Sequence, residues 1–412
     1  MRGFVREQLL RFMQRWDERG HLWRANPRQL SRALLGSLSG ARLPGQERLE
    51  ACSAVENLIR HRLLLDHCAS DGPPPRWPAR LSALGEERWR QLLVDPQLEP
   101  ELPEDVRFSF PGPLHQRLLQ KLGPKACTSV CRASNELPDC TFLRMNPLTA
   151  PGLGGRSGLV ETLRSRGHEV EPCGPGAEWG LRVQSGRHSV ANQLPEYFDG
   201  KLEVQDESSQ IVAGLVQCGP DDLVVDLCCG AGGKALALLG KLGPRGRLVA
   251  HEPRRPALRR AARRLDRAAA AAAGAGVATA EVLLAASEEE LTPWLGRAAW
   301  VLVDAPCSNS GSLRRHPECK YRLFEGMEGL QEFQRLQETQ RHLLGQASKL
   351  LSPGGRLIYS TCSLLQEENE AQAAWAEVTL GLRLLPQPGV GCFPPMVSGR
   401  DGYFAAVLAS SG

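Results

Sequence analysis

The sequence predicts an α/β protein whose C-terminal half folds as a doubly wound, mostly parallel sheet. From residue 205 onward, short apolar runs of strand length alternate with helical stretches, which is typical of a parallel sheet covered by helices. Two of these runs, at 300–303 and 357–359, are followed by Asp304-Ala305-Pro306-Cys307 and by Ser360-Thr361-Cys362, so that a cysteine comes soon after each strand. Since the chemistry of open parallel sheets lies beyond the carboxyl ends of the strands, the two cysteines mark a candidate site.

Each element is predicted from its apolar spacing and its turn residues. The elements from residue 205 are a helix over 208–216, a strand over 223–226, a glycine-rich turn over 228–234, a helix over 235–242, a strand over 247–250, a helix over 254–270, an alanine-rich helix end and loop over 268–280, a strand at 300–303, a helix over 333–351 and a strand at 357–359. The preceding stretch reads as a helix over 114–122, a strand over 141–147, a helix over 159–167 and a strand over 169–172.

These patterns divide the chain into three predicted domains. Residues 1–105 carry leucines at helical spacing and are expected to form a small helical bundle. Residues 106–200 are expected to form a small α/β domain, and 201–412 the main sheet. Arginines cluster at the N-terminus and over 254–267, where they form either a solvated face or a surface for RNA phosphates.

Bulk properties exclude several classes of protein. The 412 residues have a net charge of only +4, which does not by itself indicate a polyanionic partner. No apolar run is long enough to span a membrane, and the N-terminus has no hydrophobic signal core. The 13 cysteines match no zinc-ligand spacing, and Cys127 and Cys131, one helical turn apart, do not suffice to indicate metal. We expect a cytoplasmic monomer with reduced thiols, no metal and no membrane contact.

The turn between the strand ending at Asp226 and the following helix indicates a nucleoside-containing cofactor. Glycines there let the backbone approach a ligand closely, and Glu252, at the end of the next strand, can accept from ribose hydroxyls. Because the G-x-G-x-x-G pattern is absent, S-adenosyl-L-methionine is favoured over nicotinamide cofactors. The expected cofactor-binding residues are Asp226, Cys228, Cys229, Gly230, Ala231, Gly232, Gly233, Lys234, Glu252 and Asp304.

Cys307 and Cys362 are the candidate nucleophiles. A single buried thiol is more often structural than reactive, but both cysteines follow strand ends and have small polar neighbours. A disulfide between them is a second possibility, which the expected reducing environment disfavours.

A set of motifs in this order resembles the RsmB/NOP (Sun-type) RNA cytosine-C5 methyltransferases. The resemblance covers about residues 107–410, and its most specific part is Asp-Ala-Pro-Cys followed by Thr-Cys-Ser. The motifs are Gln205–Gln210, the turn over 226–234, Asp304–Ser308, Arg314–Pro317, Leu351–Gly355, Ser360–Ser363 with Glu367–Glu370, and Asp401–Phe404. The resemblance implies a Rossmann-like methyltransferase sheet, S-adenosyl-L-methionine as cofactor, and RNA, ribosomal rather than transfer RNA, as substrate.

The resemblance also implies roles for individual residues. Cys362 is the expected nucleophile that adds to cytosine C6, Asp304 stabilises the pyrimidine, Cys307 assists proton removal or release of the RNA, and Lys234 orients the base or Asp304. The stretch 143–146 is similar to the family's Leu-Arg-x-Asn strand in a small RNA-contacting domain, and 1–105 is similar in size to a NusB-like domain. The candidate RNA-binding residues are Arg144, Asn146, Arg314, Arg315 and Lys320.

Two departures from the family pattern keep alternatives open. The turn reads Cys-Cys-Gly-Ala-Gly-Gly-Lys-Ala instead of Cys-Ala-Ala-Pro-Gly-Gly-Lys-Thr. No acid follows the third strand until Glu288, so either the affinity for the cofactor is reduced or Ser287 or Glu288 substitutes for the missing acid. One alternative is therefore a catalytically weak RNA-binding assembly factor of the same fold. The other is a DNA cytosine methyltransferase, in which the thiol of the Pro-Cys pair, here Cys307, is the nucleophile.

Overall fold

The computed structural model describes residues 57, 59–64, 102–136, 140–184, 190–386, 390–395 and 399–410. The predicted helical domain over 1–105 therefore lies almost entirely outside the described residues. The helices are α1 Glu104–Arg107, α2 Gly112–Leu122, α3 Pro124–Asn135, α4 Gly155–Ser165, α5 Pro195–Phe198, α6 Glu207–Gly214, α7 Gly233–Leu239, α8 Arg255–Gly274, α9 Cys319–Phe324, α10 Gly326–Leu350 and α11 Glu370–Leu380. The strands are β1 Cys140–Met145, β2 Val170–Pro172, β3 Gly180–Gln184, β4 Leu202–Val204, β5 Leu223–Asp226, β6 Arg247–His251, β7 Glu281–Ala285, β8 Ala298–Asp304, β9 Leu351–Thr361, β10 Arg383–Leu385, β11 Gly391–Phe393 and β12 Tyr403–Ala409.

The chain forms two compact units. The first combines residues 1–136 with 308–334, and the second combines 137–307 with 335–412. Helices α2 and α3 thus group with the first unit, although the sequence places them in the small α/β domain. None of the helices in the described ranges is long and apolar enough to cross a membrane.

The second unit contains the predicted doubly wound sheet, which confirms the fold class. Its strand order is β10-β12-β9-β8-β5-β6-β7, with β11 paired to β12. Strands β7, β6, β5, β8 and β9 run parallel, and β12 is antiparallel to β9. In the β8–β9 register Asp304 lies opposite Ser360, which brings the two cysteine-bearing strand ends to one place at the sheet edge.

Helices cover both faces of this sheet, and the side chains of the central strands point alternately to one face and to the other. On one face Val224, Leu248 and Leu302 pack with residues of α7 and α8. On the other face their neighbours, including Val225 and Val301, pack with residues of α10 and α11. Because successive side chains of a strand point to opposite faces, a run such as that in β8 must be apolar throughout.

A smaller antiparallel sheet with the order β2-β3-β1-β4 precedes the main sheet in the same unit. Glu203 on β4 is 2% exposed and forms ion pairs with Arg264 and Arg267 of α8. The Arg264 Nη2 atom is 2.9 Å from a Glu203 carboxylate oxygen. Two arginines of the basic stretch over 254–267 therefore join the two sheets.

Helix α8 and strand β7 are two of the elements that differ from the prediction. Helix α8 continues through the alanine tract to Gly274, because alanine has the highest helix propensity and Ala268 and Ala272 are buried. Strand β7, at the edge of the parallel run, does not appear among the strands predicted from apolar runs. Its residues Val282–Ala285 form an apolar run of strand length, so the sequence does contain a signal for this strand.

Candidate active site

An ion pair between Lys234 and Asp304 lies at the carboxyl ends of the central strands. Lys234, in the first turn of α7, donates from Nζ to Asp304 Oδ2 at 2.7 Å and to Ser209 Oγ at 2.8 Å. Burial lowers the pKa of Lys234, but the Asp304 carboxylate outweighs burial and the pKa is raised above its ordinary value. Lys234 is therefore a fixed cation that holds Asp304 at the end of β8.

The sulfurs of Cys307 and Cys362 lie 3.2 Å apart. Cys307 follows β8 by three residues and is buried, whereas Cys362 directly follows β9 and is half-buried. Neither cysteine forms a disulfide. The pairing of Asp304 with Ser360 sets the distance between the two sulfurs, and the Ala305 N–H strengthens this strand pairing by donating to Ser360 O at 2.9 Å. The structure thus brings the two cysteines together next to Asp304.

The glycine-rich turn between β5 and α7 has the conformation that a close ligand requires. Gly230 has a φ of 56° and Gly232 a φ of 84°, both in the left-handed region that favours glycine. A Cβ on Gly232 would lie 3.0 Å from Cα and Cβ of Ala261 on α8. Gly232 is shared with the family's turn, whereas Gly230 stands where the family has alanine, so the departures over 229–231 leave Gly232 in place.

Asp226 lies completely buried below the turn. Neither carboxyl oxygen makes a hydrogen bond of good geometry with the described residues, although the backbone N–H groups of Cys228 and Ala235 favour its charged form. Burial first, and then the negative charge of Asp304, raise the pKa of Asp226 to about 7. A buried carboxyl group with unused acceptor capacity beside an open-backbone turn fits the binding of a polar cofactor.

Glu252, directly after β6, is a second acid at this edge. It is 3% exposed and accepts hydrogen bonds from the Arg254 guanidinium at 2.7 and 2.9 Å. Burial raises its pKa, but the bonds from Arg254 and from the Gly230 N–H outweigh burial, so the pKa is lowered and the carboxylate is ionised. An ionised carboxylate here can accept from ribose hydroxyls, as expected.

The region after β7 lacks a comparable acid. Glu288 is mostly exposed and pairs with His342 of α10 at 3.0 Å. Glu290 accepts from the Ala286 N–H at 2.9 Å. Whether Ser287 or Glu288 takes the place of the missing acid stays a prediction.

Two of the predicted RNA-binding residues instead hold the second unit together. Arg144 on β1 is 4% exposed, and it donates to Gln205 Oε1 at 2.6 Å and to Gly233 O at 3.3 Å. Asn146 caps the following turn through Leu148 N–H and donates to Gly200 O at 3.1 Å. Their hydrogen bonds favour a structural role, and RNA contact by either residue stays a prediction.

The other three predicted RNA-binding residues lie in the first unit. Arg314 is 4% exposed and donates to Ala133 O at 3.0 Å. Lys320 is completely buried and donates to Asn135 Oδ1 at 2.7 Å. Arg315 alone of the three is exposed, so it is the one that a phosphate in the solvent can reach.

Sequence reasoning missed the polar residues that support the ion pair. Ser209 accepts from Lys234, and Ser360 Oγ lies 3.4 Å from Asp304 Oδ1. Arg264 donates to Ala231 O in the glycine turn at 2.8 Å. Ser209 and Ser360 belong to the motifs that carry the resemblance, so their position was the signal, whereas nothing in the sequence distinguishes Arg264 from the other arginines of α8.

Comparison with known proteins identifies the family. A sequence profile described as "16S rRNA methyltransferase RsmB/F" matches residues 213–378. The chain belongs to the RsmB/F methyltransferase family. A relative named ribosomal RNA small subunit methyltransferase B from Pseudomonas syringae is 29% identical over 77% of this chain and 68% of its own length. The protein of that name from Thermus thermophilus is 29% identical over 89% of each chain.

A solved structure supports the fold of this methyltransferase. The crystal structure of the protein PH0851 superposes with a TM-score of 0.70 at 21% identity, and covers 92% of this chain and 94% of its own. The family assignment confirms S-adenosyl-L-methionine as the cofactor that the sequence predicts. The glycine turn, Asp226 and Glu252 fit it.

Proposed function

We propose that this methyltransferase forms 5-methylcytosine in ribosomal RNA through a covalent adduct with Cys362. The RNA class is supported by the names of the relatives, and the chemistry is supported by one observation. Two thiols that form no disulfide lie 3.2 Å apart beside a carboxylate that is held by a lysine. One sulfur can form the bond to the base while the other accepts the proton that leaves the base.

Cytosine C5 is a weak nucleophile because the ring is electron-poor. Addition of the Cys362 thiolate to C6 converts C5 into an enamine carbon and splits one difficult step into easier ones. Asp304, oriented by Lys234, hydrogen-bonds at N3 and the exocyclic amine, where charge develops. S-adenosyl-L-methionine, when bound, supplies an electrophilic methyl group.

Cys307 completes the cycle. Once C5 carries the methyl group, its remaining proton must leave before the C6–S bond can break. The Cys307 sulfur lies 3.2 Å from the Cys362 sulfur and is therefore placed to accept that proton. The electrons of the C5–H bond then re-form the ring double bond and expel Cys362. The target base has to leave its stack to reach this position.

Trapping tests the assignment of the two thiols. RNA transcribed with 5-fluorocytidine cannot lose its C5 substituent as a proton, so the adduct persists in denaturing gels. We expect adducts with the wild type and with Cys307→Ala, and none with Cys362→Ala. An adduct that depends on Cys307 alone would reverse the roles, as in the DNA-type mechanism.

The departure of the glycine turn from the family pattern, with Cys229 and Ala231, supports a second candidate function, an RNA-binding assembly factor with weak catalysis. Calorimetric titration with S-adenosyl-L-methionine distinguishes the two. Absence of binding at millimolar cofactor, together with unmethylated cytosines in bisulfite sequencing of ribosomal RNA, favours the assembly factor.

A further inference from the structure

Three metal-ligating side chains converge in the first unit, between helices α2 and α3. His115 of α2 and Cys127 and Cys131 of α3 are all buried, and a ring nitrogen and the two sulfurs lie within 4.8 Å of one another. The two cysteines are one helical turn apart, so both thiols lie on the same side of α3. Cysteine spacing alone did not indicate metal because the third member belongs to the preceding helix.

Glu104 of α1 lies next to this cluster. Its Oε2 atom is 3.3 Å from His115 Nε2, and its Oε1 atom accepts a hydrogen bond from Thr128 Oγ1. His115 is 9% exposed, and its Nε2 atom makes no hydrogen bond of good geometry with the described residues. His115 Nε2 therefore points toward the Glu104 carboxylate. Thr128 orients this carboxylate by a hydrogen bond, in the way that neighbouring groups orient metal ligands.

The charge around the cluster also fits a metal–thiolate centre. Lys320 is completely buried and lies close enough to Cys131 for their charges to interact. Its Nζ atom donates to the Arg60 and Ser109 carbonyls and to Asn135 Oδ1, which are all neutral. A divalent ion held by two thiolates, a neutral imidazole and a carboxylate has a net charge of about −1, which is the sign of charge that a nearby lysine side chain favours.

The alternative is an ordinary core in which two small thiols pack beside a histidine. Buried cysteines are common for that reason alone. That interpretation accounts for the cysteines one by one, but not for the convergence of an imidazole, a carboxylate and two thiols at one buried place.

We propose that His115, Cys127, Cys131 and Glu104 form a tetrahedral zinc site that fixes α1, α2 and α3 to one another. Sulfur and imidazole ligands favour zinc over magnesium or calcium. Tetrahedral bonds of about 2.3 Å place two sulfurs about 3.8 Å apart, so the two sulfurs, which lie within 4.8 Å of each other, need to approach by at most about an ångström. The site is independent of the proposed methyl transfer, because it lies in the other unit.

Metal analysis of the full-length protein tests the proposal. After loading with Zn²⁺ and exhaustive dialysis, we expect about one zinc per chain, and loss of most of it in Cys127→Ser, Cys131→Ser and His115→Gln. Cys319→Ser is the matched control, because Cys319 is a buried thiol of the same unit outside the cluster. It should retain the metal.

A second control concerns the catalytic thiols, which could bind zinc themselves. The double variant Cys307→Ser/Cys362→Ser should keep its zinc, and loss of the metal from that variant would overturn the proposal. Zinc that stays below about a tenth of an equivalent in the wild type would do so as well.

Binding of Co²⁺ to the wild type tests the site even if the variants of the cluster fail to fold. Co²⁺ added to the wild type should give tetrahedral d–d bands and a thiolate charge-transfer band, and Zn²⁺ should abolish both. A spectrum without the charge-transfer band excludes thiolate ligation and refutes the site.

Discussion

Replacing Lys234 by methionine removes the cation at the centre of the candidate active site while keeping the length of the side chain. Two hydrogen bonds are lost, at 2.7 Å to Asp304 and at 2.8 Å to Ser209. Asp304 and the buried Asp226 then face each other without the lysine that lowers the pKa of Asp226, so that pKa rises further. Asp304, the carboxylate that we propose contacts the base, loses both its charge partner and its orientation.

The expected loss is larger in activity than in stability. A hydrogen bond to a charged group contributes about 1.5–3 kcal/mol, and part of it is recovered when water reaches Asp304, whose side chain is 34% exposed. Removal of a group that stabilises developing charge typically lowers kcat by about 10²–10³-fold, or about 2.7–4 kcal/mol. We therefore expect Lys234→Met to fold and to transfer methyl groups at least about a hundredfold more slowly.

The assay measures transfer of a labelled methyl group to unmodified ribosomal RNA, with calorimetry to check that the cofactor still binds. Lys201→Met is the control, since Lys201 makes a half-exposed ion pair with Asp199 at 3.2 Å. A Lys234→Met enzyme within about threefold of the wild type would refute the role of the ion pair.

Two further predictions concern buried carboxyl groups. The pKa of Asp226 is raised from 3.8 to about 7, so the folded protein holds a proton that the unfolded chain releases, and stability should fall as the pH rises through this interval. The loss of stability over this interval amounts to at most about 4 kcal/mol. In Asp226→Asn, the free energy of unfolding measured in urea should therefore change less between pH 4 and 7 than in the wild type. The same pH dependence in both proteins would show that Asp226 is not its cause. Glu203→Gln should cost about 3 kcal/mol, because it leaves Arg264 and Arg267 unpaired between the two sheets. Glu171→Gln, in an exposed pair, is the control and should change Tm little, and equal effects of the two substitutions would argue against the buried junction.

The order of elements in the second unit followed from local patterns. Apolar runs at Leu223, Trp300 and Leu357 predicted central strands, and glycines at 230 and 232 predicted the turn, because strand burial and positive φ constrain residue type directly. The end of α8 was wrong, since alanine and glycine were given the same weight although alanine extends a helix.

The sequence by itself determined the order of strands and turns in the methyltransferase sheet and the motifs that place the chain in its family. The tertiary structure decided what each charged side chain does. Arg144 and Lys320 are indistinguishable from surface charges in the sequence, yet both are buried and hydrogen-bonded, because burial depends on which distant segments pack over a residue. The same holds for the 3.2 Å between the sulfurs of Cys307 and Cys362, and for the approach of His115 to Cys127. Both result from strand register and helix packing between residues that are separated in sequence.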